Sequence, residues 1–361
     1  MAQLKIHLDR IVANIEKIDV LMRENAKEWS LVVKVLGNHR ETLSALLNHP
    51  AILKVHSVAV SQWKILKMVK EINPQLRTMY IKPPSISNAD KVVRYADISV
   101  NSSLLTIQAL NEAAQKRGVI HKIIIMIEMG ELREGIKREG LLDFYRKVFD
   151  LPHIEVIGLG TNLGCMTGVK PTYDKLLQLV LYEQLIEAVF NRKLELISGA
   201  SSITLPQLKT KKIPEGINHF RIGEAAFLGT SPLQGKQFLG LNTDAFTFEA
   251  NIVELYRKEN SPDGVLSDAG VGDFSIDGKS KEGSSYRAIL DFGILDVDTG
   301  SLISLDDSVK FFGNSSDLTV FDLGENPSHF ETGDVLRFKP KYMDVARLMG
   351  ANFVEKKILG I

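Results

Sequence analysis

Apolar positions recur in two alternating rhythms over roughly the first 230 residues. Short apolar runs of strand character fall at Leu31–Val35, Lys54–Val60, Thr78–Ile81, Ile98–Val100, Lys122–Ile127, Ile154–Leu159, Leu194–Ile197 and His219–Ile222. Between most of them, apolar residues return every three to four positions. That spacing predicts helices over Glu41–Asn48, Ser61–Ile72, Ala89–Ala96, Leu104–Arg117, Leu141–Phe149 and Tyr173–Phe190. An earlier helix is predicted from Asp9, as its cap, to Leu21, with Ile11, Ile15 and Ile18 on one face. Strands and helices alternating in this way predict an α/β fold, a (β/α)8 barrel of the TIM type, rather than an open sheet.

The rhythm changes near Gly229-Thr230. From Phe246 onward apolar residues alternate singly, as in Phe246–Val253 and Asp317–Leu323, and Ser261–Ser285 is rich in Gly, Asp and Ser. Two domains are expected: a barrel over residues 1–230 and a mainly β C-terminal domain over 231–361, with residues 1–8 able to pair with the latter.

Composition narrows the class. Hydrophobic and charged fractions of 44% and 24% are those of a soluble globular protein. Lys+Arg and Asp+Glu both number 44, which removes any bulk drive toward nucleic acid or an anionic membrane. Residues 1–8 lack the apolar core of a signal peptide, and no apolar run is long enough to span a bilayer. The one cysteine, Cys165, excludes an intrachain disulfide framework and fits a reducing compartment. A cytoplasmic protein is expected.

In such a barrel the C-terminal ends of the strands face the catalytic mouth. Four stretches fall there: Lys34, Gly130-Glu131-Leu132-Arg133-Glu134-Gly135, Ser198-Gly199-Ala200-Ser201-Ser202 and Arg221-Ile222-Gly223-Glu224. Lys34 lies within the apolar run Leu31–Leu36. Burial there would lower its pKa and free the amine to hold an aldehyde as a Schiff base, pyridoxal 5'-phosphate (PLP) being the best-known aldehyde cofactor. Taken alone, a lysine ending a strand also reads as a solvated surface residue. The last two stretches suit a phosphate, because glycine admits a close N–H, Ser202 can donate, and helix-start amides carry positive potential. Read alone, Gly-Ala-Ser-Ser is equally a turn and helix cap.

Together these motifs resemble the alanine racemase-like (fold type III) PLP enzymes and, within them, the ornithine racemase branch. The resemblance rests on Val33-Lys34-Val35, Gly160–Cys165 with Gly168–Thr172, Ser198-Gly199 with Ser201-Ser202 and Leu205-Pro206, and Phe220–Ala225. Arg287-Ala288-Ile289, Asp296-Val297-Asp298 and Gly313–Asp317 extend it through the C-terminal part. It implies Lys34 as the Schiff-base lysine, Arg221 as donor to the pyridine nitrogen, Arg133 as support for the phenolic oxygen, and Asn162 as a further donor. It also implies a phosphate site made by Ser202 and the amides of Gly223 and Glu224; Ser201 stands where the nearest relatives carry Asn. The implied protein is a homodimeric racemase of small-molecule amino acids, without a metal, that exchanges the Cα proton. An arginine stays protonated, so the ring nitrogen it faces stays unprotonated and is a weaker electron sink, which suits racemisation and limits transamination.

The chain departs from the family where a tyrosine from the C-terminal domain of the partner subunit is expected. Gly270-Val271-Gly272-Asp273 stands in that turn. Cys165, Asp273, Tyr286 and Tyr342 are then the candidates for the second acid–base group. Cys165 follows the sixth strand, and a thiolate is a competent base, although a lone cysteine also reads as a small buried residue. Phe353 stands where relatives often carry a phosphate-binding tyrosine. Asp296, Asp298 and Asp317 are the carboxylates available to the distal ammonium of a diamino acid such as ornithine. The alternatives are a PLP-dependent D-amino-acid lyase or aldolase, a PLP-binding protein without racemase activity, and a barrel enzyme that does not use PLP. The aldolase needs a metal site, and only His329 of the eight histidines lies in the C-terminal part.

Overall fold

The computed structural model of the 361-residue chain describes residues 1–233, 235–274 and 283–360. Its contacts divide the chain into two compact units: one gathers Ile11–Lys34 and Arg40–Asn242, the other Met1–Arg10, Val35–His39 and Thr243–Ile361.

Strand β1 (Gln3–His7) belongs to the second unit. The first is built on β2 (Glu28–Val32), β3 (Ser57–Val60), β4 (Thr78–Tyr80), β5 (Ile98–Asn101), β6 (His121–Met126), β7 (Ile154–Gly160), β8 (Leu196–Ser198), β9 (Ala200–Ser201) and β10 (His219–Ile222). These nine run parallel in the order β8-β7-β6-β5-β4-β3-β2-β10-β9. β8 and β9 are two pieces of one stave, broken at Gly199. Leu196–Ser198 pairs with β7, Ala200–Ser201 pairs with β10, and β10 pairs with β2, so the sheet closes as a barrel. The break is closely packed: a Cβ there would lie 2.8 Å from Leu179 Cδ2 and 2.9 Å from Ile217 Cδ1, so those side chains would have to shift.

The eight predicted strands and the helices between them are present, with shifted ends. The first strand is the instructive case. It stops at Val32, the Val33 N–H bonds to Ala59 O at 3.0 Å, and Lys34–Leu36 turn as a 3-10 helix. Val35 and Leu36 are as fully buried as Leu31, and apolarity alone does not separate a buried strand from a buried turn. Asp9 likewise is not the cap. The helix Leu8–Glu24 already contains it in its first turn, where a carboxylate suits the helix dipole. Elsewhere the local signals act as expected: Ser103 Oγ accepts from Thr106 N at the start of Leu104–Arg117, and Gly118 ends that helix in the left-handed region.

Inside the barrel, Val32, Ala59, Met79, Ile124, Met126 and Leu196 pack as an apolar cluster. A buried polar chain accompanies it. Ser30 Oγ lies 2.7 Å from Ser57 Oγ and 2.8 Å from His219 Nε2, and His219 Nδ1 lies 2.8 Å from Ser198 Oγ. His121 Nε2 meets Ser99 Oγ at 2.8 Å.

In the second unit, β13 (Phe246–Glu259) pairs antiparallel with β1, which runs parallel to β19 (Glu355–Leu359). A short hairpin of β11 (Thr230–Ser231) and β12 (Lys236–Gln237) precedes it in the barrel unit. The sheet continues through β14 (Ser284–Leu290), β15 (Ile303–Ser304), β16 (Lys310–Asn314), β17 (Thr319–Asp322) and β18 (Val335–Lys339), in the order β15-β18-β13-β14-β17-β16. Phe248, Phe292, Phe321 and Phe338 form its aromatic centre. Of the Gly/Asp/Ser-rich stretch Ser261–Ser285, residues 275–282 lie outside the described ones. Among the described residues no helix is long and apolar enough to cross a membrane.

The buried histidines make stability depend on pH. Burial holds His219 well below its ordinary value, with the charges of His56 and Arg221 adding to the effect, and burial lowers His121 to about 4 against the opposing charge of Asp97. The unfolded chain protonates both near the ordinary value of about 6.5. It therefore binds more protons than the fold as pH falls, and this contribution to stability declines from about pH 6.5 downward. The urea midpoint is expected to be lower at pH 5 than at pH 7, with a smaller difference in His121→Asn. A difference unchanged by that substitution would count against a neutral buried ring.

Candidate active site

The C-terminal ends of the barrel strands bring together the residues singled out there. Arg221 sits on β10. Its Nη1 donates to Ser198 O at 2.7 Å and to Ser198 Oγ at 2.5 Å, and its Nη2 donates to Thr161 O at 2.6 Å. It is thus held by two main-chain carbonyls and the Ser198 hydroxyl. Burial lowers its pKa to about 10, with Glu134 opposing, so it remains a cation at neutral pH. Because Ser198 Oγ accepts from Arg221, its own proton is directed to His219 Nδ1. That leaves His219 Nε2 as the donor to Ser30.

Lys34 lies one residue beyond Val33, at the start of the 3-10 turn, and is exposed. The expectation of a buried lysine does not hold. Its charge is felt by Glu224. Burial raises the Glu224 carboxyl, while a hydrogen bond from Thr230 and the charge of Lys34 pull it down.

Ser202 is buried, and its Oγ lies 3.3 Å from the N–H groups of both Gly223 and Ala225. Two main-chain donors and a hydroxyl therefore converge at the ends of β9 and β10. Ser201 is engaged through its backbone, with its N–H and O both on Thr204 Oγ1.

Arg133, Asn162 and Cys165 form a second cluster. Arg133 pairs with Glu134 through Nε and Nη2, and its Nη1 lies 2.8 Å from Cys165 Sγ. With Asn162 Oδ1 turned toward the guanidinium, the amide accepts from Nη2 at 2.5 Å and from Nη1 at 3.1 Å. The bond to Glu134 drives Arg133 further above its ordinary range, against the effect of burial. Burial pushes the Glu134 carboxyl up, but the hydrogen bond from Arg133 and the nearby charge of Arg221 bring it below the usual range. Cys165 is exposed and is not the small buried residue that a lone cysteine can be.

Glu131, beside them, lies in a stretch marked in the sequence but was assigned no role there. It is 2% exposed, and its carboxylate receives N–H groups from the loop after β7. Burial pushes its pKa up, yet the N–H groups of Met166, Cys165, Thr167 and Gly164 outweigh this and bring it to about 2. A glycine-bounded run of N–H groups without an acceptor of its own, Gly164–Gly168, was the only available signal.

The remaining candidates lie in the other unit. Asp273, Asp296 and Asp298 line one cleft with Arg347, whose Nη1 reaches Asp298 Oδ2 at 3.2 Å. Asp273 is pinned through its backbone, its N–H to Asn314 Oδ1 at 2.7 Å and its O from Asn314 N at 2.9 Å. Asp296 Oδ2 accepts from Gly293 N at 3.2 Å. Asp317 does not line that cleft; it is exposed and accepts from Ser316 Oγ. Tyr286 lies on β14 beneath the Arg257 guanidinium, Tyr342 opens the helix Tyr342–Gly350, and Phe353 is exposed.

Comparison with known proteins follows this geometry. Residues 6–232 match the family model described as the alanine racemase N-terminal domain. The chain is 31% identical to the ornithine racemase of Acetoanaerobium sticklandii over 363 residues, 99% of each protein. It is also 31% identical to the lysine racemase of Thermotoga maritima over 280 residues, 77% of each. The alanine racemase of Bartonella henselae, solved with covalently bound pyridoxal phosphate, superposes with a TM-score of 0.70 at 16% identity, covering 99% of each chain.

Arg221→Leu removes the charged donor from the carbonyls of Ser198 and Thr161. It is expected to cost about 1–3 kcal/mol of stability, the usual penalty for leaving a buried acceptor such as Thr161 O without its donor, while Ser198 O keeps the N–H of Thr161. Urea denaturation checks this; an unchanged midpoint would show that the anchoring contributes nothing.

Proposed function

The chain belongs to the family of the alanine racemase N-terminal domain, and we propose from that premise that it is a PLP-dependent amino-acid racemase. The observation that carries the reading is the grouping at one barrel mouth of Lys34 near Glu224, Arg221 anchored on Ser198 and Thr161, and Ser202 Oγ under the N–H groups of Gly223 and Ala225.

These residues fit the cofactor. Lys34 is the amine that would hold its aldehyde, and Arg221 offers a cation to an unprotonated ring nitrogen. Arg133, with Asn162 beside it, would support the phenolic oxygen. Ser202 and the amides of Gly223 and Glu224 suit a dianionic phosphate, with Ser201 a lesser contributor. When bound, PLP supplies the electron sink that makes the substrate Cα proton removable.

The chain's own groups then move that proton. Lys34 serves one face of Cα, and Cys165 is the second acid–base group, ahead of Asp273, because its thiol already stands on Arg133 among the cofactor residues. The substrate is a basic amino acid. The relatives' names, ornithine and lysine racemase, support this, and so do Asp296, Asp298 and Asp317 as partners for a distal ammonium. Each of the first two already faces a cation, Asp298 the Arg347 guanidinium and Asp296 the charge of Lys356. The working form is a cytoplasmic homodimer.

Wild type mixed with PLP is expected to show a visible absorbance band that borohydride removes by fixing the cofactor to the protein. Lys34→Ala should neither trap the cofactor nor racemise. Chiral chromatography of D- and L-ornithine, lysine, alanine and serine reads turnover directly. If wild type and Lys34→Ala trap PLP equally, the lysine assignment is wrong. Sedimentation velocity is expected to give a dimer, and a fully active monomer would refute that arrangement.

A further inference from the structure

Cofactor binding does not account for the way the loop after β7 is held. Glu131 Oε1 accepts from the N–H groups of Cys165 at 2.8 Å, Met166 at 2.5 Å, Thr167 at 2.9 Å and Gly168 at 3.4 Å. Oε2 accepts from Gly164 at 3.0 Å and Val169 at 3.1 Å. A carboxylate has about four lone-pair directions, so six consecutive donors describe a chain wrapped round an anion. The wrapping uses two glycines in the left-handed region, Gly164 at φ +71° and Gly168 at φ +80°. Thr167 Oγ1 adds a bond to Glu131 O at 3.4 Å.

The wrapped loop carries Cys165. The cysteine N–H is fixed on Glu131, while its exposed side chain sets Sγ 2.8 Å from Arg133 Nη1. Arg133 is itself held by Glu134. The thiol is thus located from two sides, by a buried anion through its backbone and by a guanidinium through its sulfur.

We propose that Glu131 is a positioning residue for racemisation: its carboxylate folds Gly164–Val169 around itself and so fixes the Cys165 thiol against Arg133 as a proton carrier. The proposal rests on the racemase reading above. In one direction the Cys165 thiolate takes the Cα proton and becomes a thiol, while the Lys34 ammonium gives its proton to the opposite face and becomes an amine. The reverse direction exchanges the two roles, so no proton is gained or lost. Glu131 acts through the loop. A neutral side chain at 131 attracts the N–H dipoles less and leaves the loop loose, while the barrel strands stay paired.

Cys165 is the chain's only cysteine, so iodoacetamide alkylation of the native protein reads this thiol alone. Its pH profile is measured for wild type, Glu131→Gln, Glu131→Asp and Gly168→Ala, with kcat and KM for racemisation of the best substrate. Glu131→Gln is expected to change the alkylation profile, as the thiol leaves the Arg133 guanidinium. It is also expected to lower kcat by about tenfold or more with little change in KM, as for the displacement of an acid–base group. Glu131→Asp recovers part of both. Gly168→Ala meets no atom within 4 Å of its new Cβ but strains the left-handed turn, so it loosens the same loop with Glu131 intact. It should move the profile the same way, and it carries the test if Glu131→Gln does not fold. Wild-type alkylation profiles in the folded variants, or an unchanged kcat in folded Glu131→Gln, overturn the proposal. A wild type that racemises no amino acid while the thiol profiles shift as expected overturns the racemase reading instead.

Discussion

The barrel mouth depends on how the half-buried Arg221 cation is held. A guanidinium cannot shed its charge at neutral pH, so it is tolerated inside a fold only when its N–H groups are matched by acceptors. The acceptors are carbonyls at the ends of β7 and β8, from Thr161 and Ser198. The arginine therefore ties three adjacent strand ends together at the point where the seventh stave is broken. Its demand on the Ser198 hydroxyl continues downward through His219 to Ser30 and Ser57, which orders the polar chain inside the barrel.

Glu131 is the mirror image of that arrangement. Here the buried charge is negative and the main chain supplies N–H groups rather than carbonyls. Each charge is stabilised by several weak dipoles in place of one opposite ion, which fixes position without demanding a partner side chain. The contrast with Arg133 and Glu134 is informative. That pair is a direct salt bridge between neighbours in sequence, and it leaves the guanidinium edge turned to Cys165 and Asn162. The two charges held by the main chain set the frame, and the Arg133–Glu134 pair stands beside it.

Much of this was legible in the chain. The alternation of apolar runs and helical periods was enough for the closed barrel, because each strand and helix carries its own burial pattern. Lys34, Arg133, Ser202 and Arg221 could be placed from the sequence at the mouth because they lie at or just beyond the C-terminal ends of strands, and the barrel turns those ends into a common mouth. The reading went wrong where burial has more than one cause. Val35 and Leu36 are buried in a turn and not in a strand, and Lys34 is exposed although its neighbours are not. Asp317 shares a motif style with Asp296 and Asp298 but does not share their cleft.

By itself, then, the sequence determined the order of elements, the barrel class and the residue types offered at its mouth. Those properties are local, set by periodicity and by the position of a residue on its own strand. Only the tertiary structure decided which groups meet. Glu131 and the N–H groups of Gly164–Val169 are separated by more than thirty residues and share no period or motif, and the main-chain donors carry no side-chain signature to read. The same holds for Arg221, Thr161 and Ser198. Hydrogen bonds across staves are set by the stagger and closure of the sheet, and neither exists until the whole barrel has formed.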